Sequence, residues 1–76
     1  MTRLPKAGDT VVFNNPNSGY RMDQISAQGR LHVGEKYVVI DSEVGNWRTE
    51  LLIEYSEGKR YWFNSVLFSL VEKEDE

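Results

Sequence analysis

The 76-residue sequence predicts an all-β domain, a single small five-stranded barrel with one long loop after its first strand. Three observations carry the prediction. Residues 48–55 alternate with period two, placing Thr49, Leu51, Ile53 and Tyr55 on one face and Arg48, Glu50, Leu52 and Glu54 on the other. Residues 43–46 and 56–59 carry the glycines and small polar residues of tight connections. No window of ten or more residues shows the 3.6-residue apolar period of an amphipathic helix, so no helix is expected.

The elements follow in order. A first strand is expected over 10–13, Thr-Val-Val-Phe, because β-branched and aromatic residues follow a Gly8-Asp9 turn. Residues 14–34 open on a dense cluster of turn formers, Asn-Asn-Pro-Asn-Ser-Gly, and then follow neither helical nor strand periodicity. A loop of that length in a compact domain is more often functional. It is expected to fold back as an irregular hairpin, with Tyr20, Met22, Ile25 and Leu31 packed underneath. A second strand is expected over 36–42, with Tyr37 and Val39 on one face, and a third over 48–55. The charges of Arg48, Glu50 and Glu54 make their face the wet one, so the odd positions face the core and Leu52 interrupts the polar face. Gly58 is expected in the left-handed conformation of a short hairpin. A fourth strand spans 60–63, where parity leaves open whether Trp62 points away from Tyr61 and Phe63. Asn64 and Ser65 cap a single 3-10 turn, since both side chains reach nearby backbone N–H groups. A last strand covers 68–71. The division is a barrel domain at 1–71 and an acidic, disordered tail at 72–76. Such a domain is small, and stability of only a few kcal/mol is expected.

The stretch from 33 to 68 resembles an SH3 domain. Gly34-Glu35-Lys36-Tyr37-Val38-Val39 is similar to the entry into the strand after the RT loop. Gly45-Asn46-Trp47 is similar to the Gly-Asp-Trp that presents the ligand-binding tryptophan. Residues 62–68 resemble the Tyr-Ile-Pro-Ser-Asn-Tyr-Val run around the 3-10 turn. The resemblance implies an SH3-like barrel in which 14–34 is an RT-like loop. Of the peptide-binding residues only Trp47 carries over: Asn64 replaces the proline, Val66 the asparagine and Leu67 the tyrosine. The barrel is therefore expected and a proline-rich ligand is not. In general style the chain also resembles small SH3-like proteins encoded by bacteriophages and prophages.

Composition narrows the chemistry. There is no cysteine, one histidine, and no glycine-rich phosphate loop. His32, the one imidazole, lies between Leu31 and Val33 and reads as an ordinary strand residue. The protein is expected not to be an enzyme and to take no cofactor or metal. Absence of disulfides, of an apolar leader and of a membrane-length apolar run predicts a cytoplasmic protein, in host cytoplasm if phage-encoded, with no membrane partner. Net charge is −3, but residues 1–38 hold five basic residues against three acids and residues 39–76 four against nine. That asymmetry is either an ordinary solubilising surface or the mark of a charged partner.

The expected function is a non-enzymatic protein-binding module, acting in a phage setting as an inhibitor of a host protein. The expected partner-binding residues are Trp47, Tyr20 and Trp62, with the acids Glu50, Glu54, Glu57, Glu72 and Glu74. Tryptophan is enriched at interface hot spots, and Trp47 either presents to solvent or plugs the barrel end. Trp47, Trp62, Tyr20 and Tyr55 could line one surface. The acids would let the surface mimic nucleic acid toward a DNA-binding protein such as a sliding clamp, nucleoid protein or polymerase. The alternative is direct binding of single-stranded nucleic acid through Arg48, Lys59, Arg60 and Trp62, with Arg21 and Arg30 from the loop; the acidic pI near 5.1 argues against it. A monomer or weak dimer is expected.

Overall fold

A computed structural model describes residues 4–71. The expected Glu72 and Glu74, and the tail that holds them, lie outside the described residues. The elements are β1 (Thr10–Phe13), α1 (Arg21–Gln28), β2 (Lys36–Val44), β3 (Thr49–Ser56), β4 (Lys59–Asn64), a 3-10 turn (Ser65–Leu67) and β5 (Phe68–Val71). The strands form one antiparallel sheet in the order β4-β3-β2-β1-β5.

β2 serves two partners. Its first residues pair with β1, Thr10 opposite Val38 and Val12 opposite Lys36. From Val39 onward it pairs with β3, and the register shifts between Val39 and Asp41. A one-residue bulge bends and twists a strand, which lets β2 leave one neighbour and take up the next. β1 also holds β5 from Thr10–Val71 to Phe13–Phe68, so segments near the two ends of the described chain lie side by side.

The inward face of β3 is the expected one. Leu51 and Ile53 are fully buried and Tyr55 packs against the core, joined by Val11, Phe13, Val39, Phe63, Leu67 and Phe68 in one cluster. The ring of Phe68 stands 6.0 Å from Phe13 and 6.1 Å from Phe63, so the outer strands β4 and β5 meet across this core. Register also settles Trp62. Phe63 lies opposite Leu51, whereas Trp62 lies opposite Leu52 on the outer face. Leu52 therefore interrupts the polar face because it has a large cross-strand neighbour to cover it. Gly58 adopts φ +76° as expected, and Asn64 caps the 3-10 turn by accepting from the Val66 N–H at 3.2 Å.

The long loop departs from the expectation. Its centre is a helix, α1, rather than an irregular hairpin. The side chains α1 turns inward are Asp23 and Ala27, one charged and one small. Its large apolar residues, Met22 and Ile25, face solvent, and Tyr20 before it is exposed as well. A helix that buries an aspartate and an alanine has no apolar stripe, and the eight residues of α1 are too few to establish one. Of the four residues expected beneath the loop, Leu31 alone is buried.

Candidate functional site

α1 is held against the sheet by Ala27, fully buried in the core cluster, and by one carboxylate. Asp23 is 9% exposed and accepts from three directions. The Tyr20 N–H donates to its Oδ2 at 2.9 Å, which satisfies one of the orphan donors of the first helical turn. The Asn64 side-chain amide donates at 3.1 Å, and Arg48 Nη1 at 2.9 and 3.1 Å to the two oxygens. Burial pushes the Asp23 carboxyl up, but the hydrogen bonds from Asn64 and Tyr20 and the Arg48 charge outweigh it and leave the group below the usual carboxylate range. Arg48 Nη2 donates to Glu50, and that bond, with the Asp23 charge, raises the guanidinium above its ordinary value. Both ends of Arg48 are thereby fixed on carboxylates.

Around this network lies an open groove. Gly19, at φ +80°, brings the loop over Asp23; a Cβ there would stand 3.0 Å from Asp23 Oδ2 and 3.3 Å from Val66 Cγ2. The chain then presents Tyr20, 70% exposed, on one wall. On the other, Trp47 immediately precedes the anchored Arg48 and is 94% exposed. Among the described residues its ring makes no aromatic or cation–π contact. Trp47 is thus not a plug. Tyr20, Trp47, Thr49, Asn64 and Val66 line one depression of about 490 Å³. Tyr20, Trp47, Glu43, Val44 and Glu50 line a second of about 470 Å³. Trp62 borders a third, about 440 Å³, with Met22 and Ser26 of α1, and Arg48 contributes to all three.

The structure therefore brings Tyr20, Trp47 and Glu50 together and sets Trp62 in the adjoining depression. It separates the rest. Tyr55 is turned away, edge-on to Phe63 at 6.4 Å and beneath Arg30 at 6.0 Å. Glu54 lies opposite Arg60 across the strands, 3.5 Å from its Nε, and accepts from the Gly58 N–H at 2.9 Å. Glu57 is exposed in the β3–β4 hairpin. The residues that sequence reasoning missed as a unit are Asp23, Arg48 and Asn64. Asn64 was legible as a cap, but only the fold shows that its other atom holds Asp23. Among the described residues no group of three His, Cys, Asp or Glu could hold a metal ion, and no helix is long and apolar enough to cross a membrane.

Residues 10–76 match the model of the family described as Bacteriophage T4 protein Y07B. The chain belongs to this phage protein family. The match spans every strand, α1 and all residues of the groove. No curated protein and no solved structure matches the chain.

Proposed function

We propose that this phage protein is a non-enzymatic binding module, an SH3-like barrel that docks a host protein on the groove between Tyr20 and Trp47 and inhibits it. One observation carries the reading: a tryptophan 94% exposed, with no aromatic or cation–π contact among the described residues, stands across a groove from a second exposed aromatic, while Asp23 holds the Tyr20 backbone N–H on one side and the Arg48 side chain on the other. A large aromatic left in water on an otherwise anchored frame is what an interface core requires, because little ordering entropy remains to be lost on binding. The meander order of the strands, the 3-10 turn between β4 and β5 and the position of Trp47 at the mouth of β3 support the SH3-like assignment.

The acids divide. Glu50 and Glu54 each face an arginine and present little free charge, so a nucleic-acid-mimicking surface would draw on Glu43 and Glu57 instead. Direct binding of nucleic acid is disfavoured by the same pairs, since Arg48 and Arg60 are already engaged. The test is capture from host lysate with tagged wild type and Trp47→Ala, eluted by rising salt. The folded variant is expected to lose the partner that wild type retains. Equal capture by a variant with unchanged circular dichroism refutes the groove as the docking face.

A further inference from the structure

The depression between Tyr20, Val44 and Trp47 has a chemistry of its own. Its walls are two aromatic rings and an exposed valine, and its rim carries Glu43 and Glu50. These two carboxylates are direct cross-strand partners in the β2–β3 ladder. Like charges set opposite each other across a sheet repel, and a nearby cation relieves the repulsion. Arg48 relieves Glu50, but its other end is committed to Asp23. Glu43 has no ion-pair or hydrogen-bond partner among the described residues. The rim therefore carries two carboxylates, Glu43 and Glu50, beside one guanidinium that is already shared between Glu50 and Asp23. The depression keeps an excess of negative charge beside an indole face that nothing covers.

An aromatic face next to an unmatched carboxylate is the recognition chemistry of a cation with an apolar stem. The ring attracts the charge through its quadrupole and the methylenes by burial, and the carboxylate adds a charge-assisted hydrogen bond. We infer that this depression receives an arginine or lysine side chain of the docked protein, its stem along Trp47 and its charged end at Glu43 and Glu50. The inference rests on the groove being the docking face and adds what enters it: the partner presents a basic residue on the segment that crosses between Tyr20 and Trp47. An aliphatic side chain would fill the volume but leave Glu43 unmatched, and an acidic one would add a third carboxylate to the two present.

The experiment needs no identified partner. The ¹⁵N-labelled full chain is titrated with three blocked tripeptides, Gly-X-Gly, in which X is arginine, citrulline or norleucine. Citrulline keeps the shape of arginine without its charge, and norleucine keeps only the stem. The arginine peptide is expected to shift the Trp47 indole N–H and the amides of Glu43 and Glu50 at millimolar concentration. Citrulline and norleucine should do so at least several-fold more weakly. Glu43→Gln, an exposed change that leaves the fold intact, is expected to weaken the arginine peptide about fivefold, the scale of one partly exposed ion pair. Raising the salt should weaken it further. Equal shifts from all three peptides, no shift from any, or unchanged binding to Glu43→Gln overturns the cation assignment. None of those results touches the lysate capture with Trp47→Ala, on which the docking reading separately stands.

Discussion

Replacing Asp23 by alanine removes the group that bonds α1 to Asn64 of β4 and to Arg48 just before β3. The magnitude follows from its three kinds of donor. The Asn64 amide is the costly one: the residue is 4% exposed, and without Asp23 its Nδ2 has no acceptor, a loss of about 1–3 kcal/mol. Losing the acceptor of the Tyr20 N–H is comparable to losing a helix cap, about 1 kcal/mol, with water able to replace part of it at that exposed position. Arg48 keeps Glu50 and is more than a third exposed, so its share falls well short of the ~3–5 kcal/mol seen when a fully buried pair is broken. The expected cost of Asp23→Ala is about 2–4 kcal/mol, a large part of the ~4–11 kcal/mol available to a chain of this length. Urea unfolding followed by circular dichroism reads it directly. With a slope of about 1 kcal/mol per molar, the midpoint should fall by at least ~2 M. A midpoint within ~0.5 M of wild type would show that the three donors find water as readily as they find Asp23, and would refute a stabilising role for the carboxylate.

The same carboxyl makes stability pH-dependent: because its pKa is lowered on folding, its contribution is complete above the ordinary aspartate value of about 3.9 and fades as pH falls through the lower native value. The stability gap between wild type and Asp23→Asn should therefore be constant near neutrality and narrow in acid below that value; a gap unchanged down to the acid limit contradicts it. Gly19→Ala meets both a left-handed backbone and a 3.0 Å approach to Asp23 Oδ2, and should cost at least ~1–2 kcal/mol by urea melt. Leu51→Ala opens a cavity at a fully buried position and should cost ~2–5 kcal/mol, enough to populate the unfolded state visibly in a thermal melt. Trp47→Ala, at a side chain that touches almost nothing, should leave the melting midpoint unchanged within ~0.5 kcal/mol.

Sequence made the strands legible where one face meets water and the other does not. β3 is the clearest case: its charged even positions and apolar odd positions force a single orientation, and register with β4 then follows from Phe63 and Leu51. Exposure of Trp47 and its neighbourhood with Tyr20 were only half legible, since spacing cannot say whether a turn aromatic folds inward. α1 was illegible for a physical reason. Its stability rests on Asp23 reaching Asn64 and Arg48, residues 41 and 25 positions away in sequence, and not on a local apolar stripe. Asn64 illustrates the same limit. Against the SH3 pattern it looked like the loss of a proline; in the fold it donates to Asp23 through Nδ2 and caps the 3-10 turn through Oδ1, two bonds a proline side chain cannot make.

The double pairing of β2 has a consequence for the order in which the groove comes into being. β2, β3 and β4 form a contiguous meander whose contacts are short in sequence, whereas β1 and β5 must be gathered from opposite ends, Thr10 to Val71. Local hairpins close quickly and long loops slowly, so the meander is expected first and the β1–β5 seam last. Trp47 belongs to the early part, while Tyr20 and Val66 reach their places only when the long loop and the 3-10 turn settle against it. A partly folded chain is therefore expected to display the indole before the opposite wall of the groove is in place.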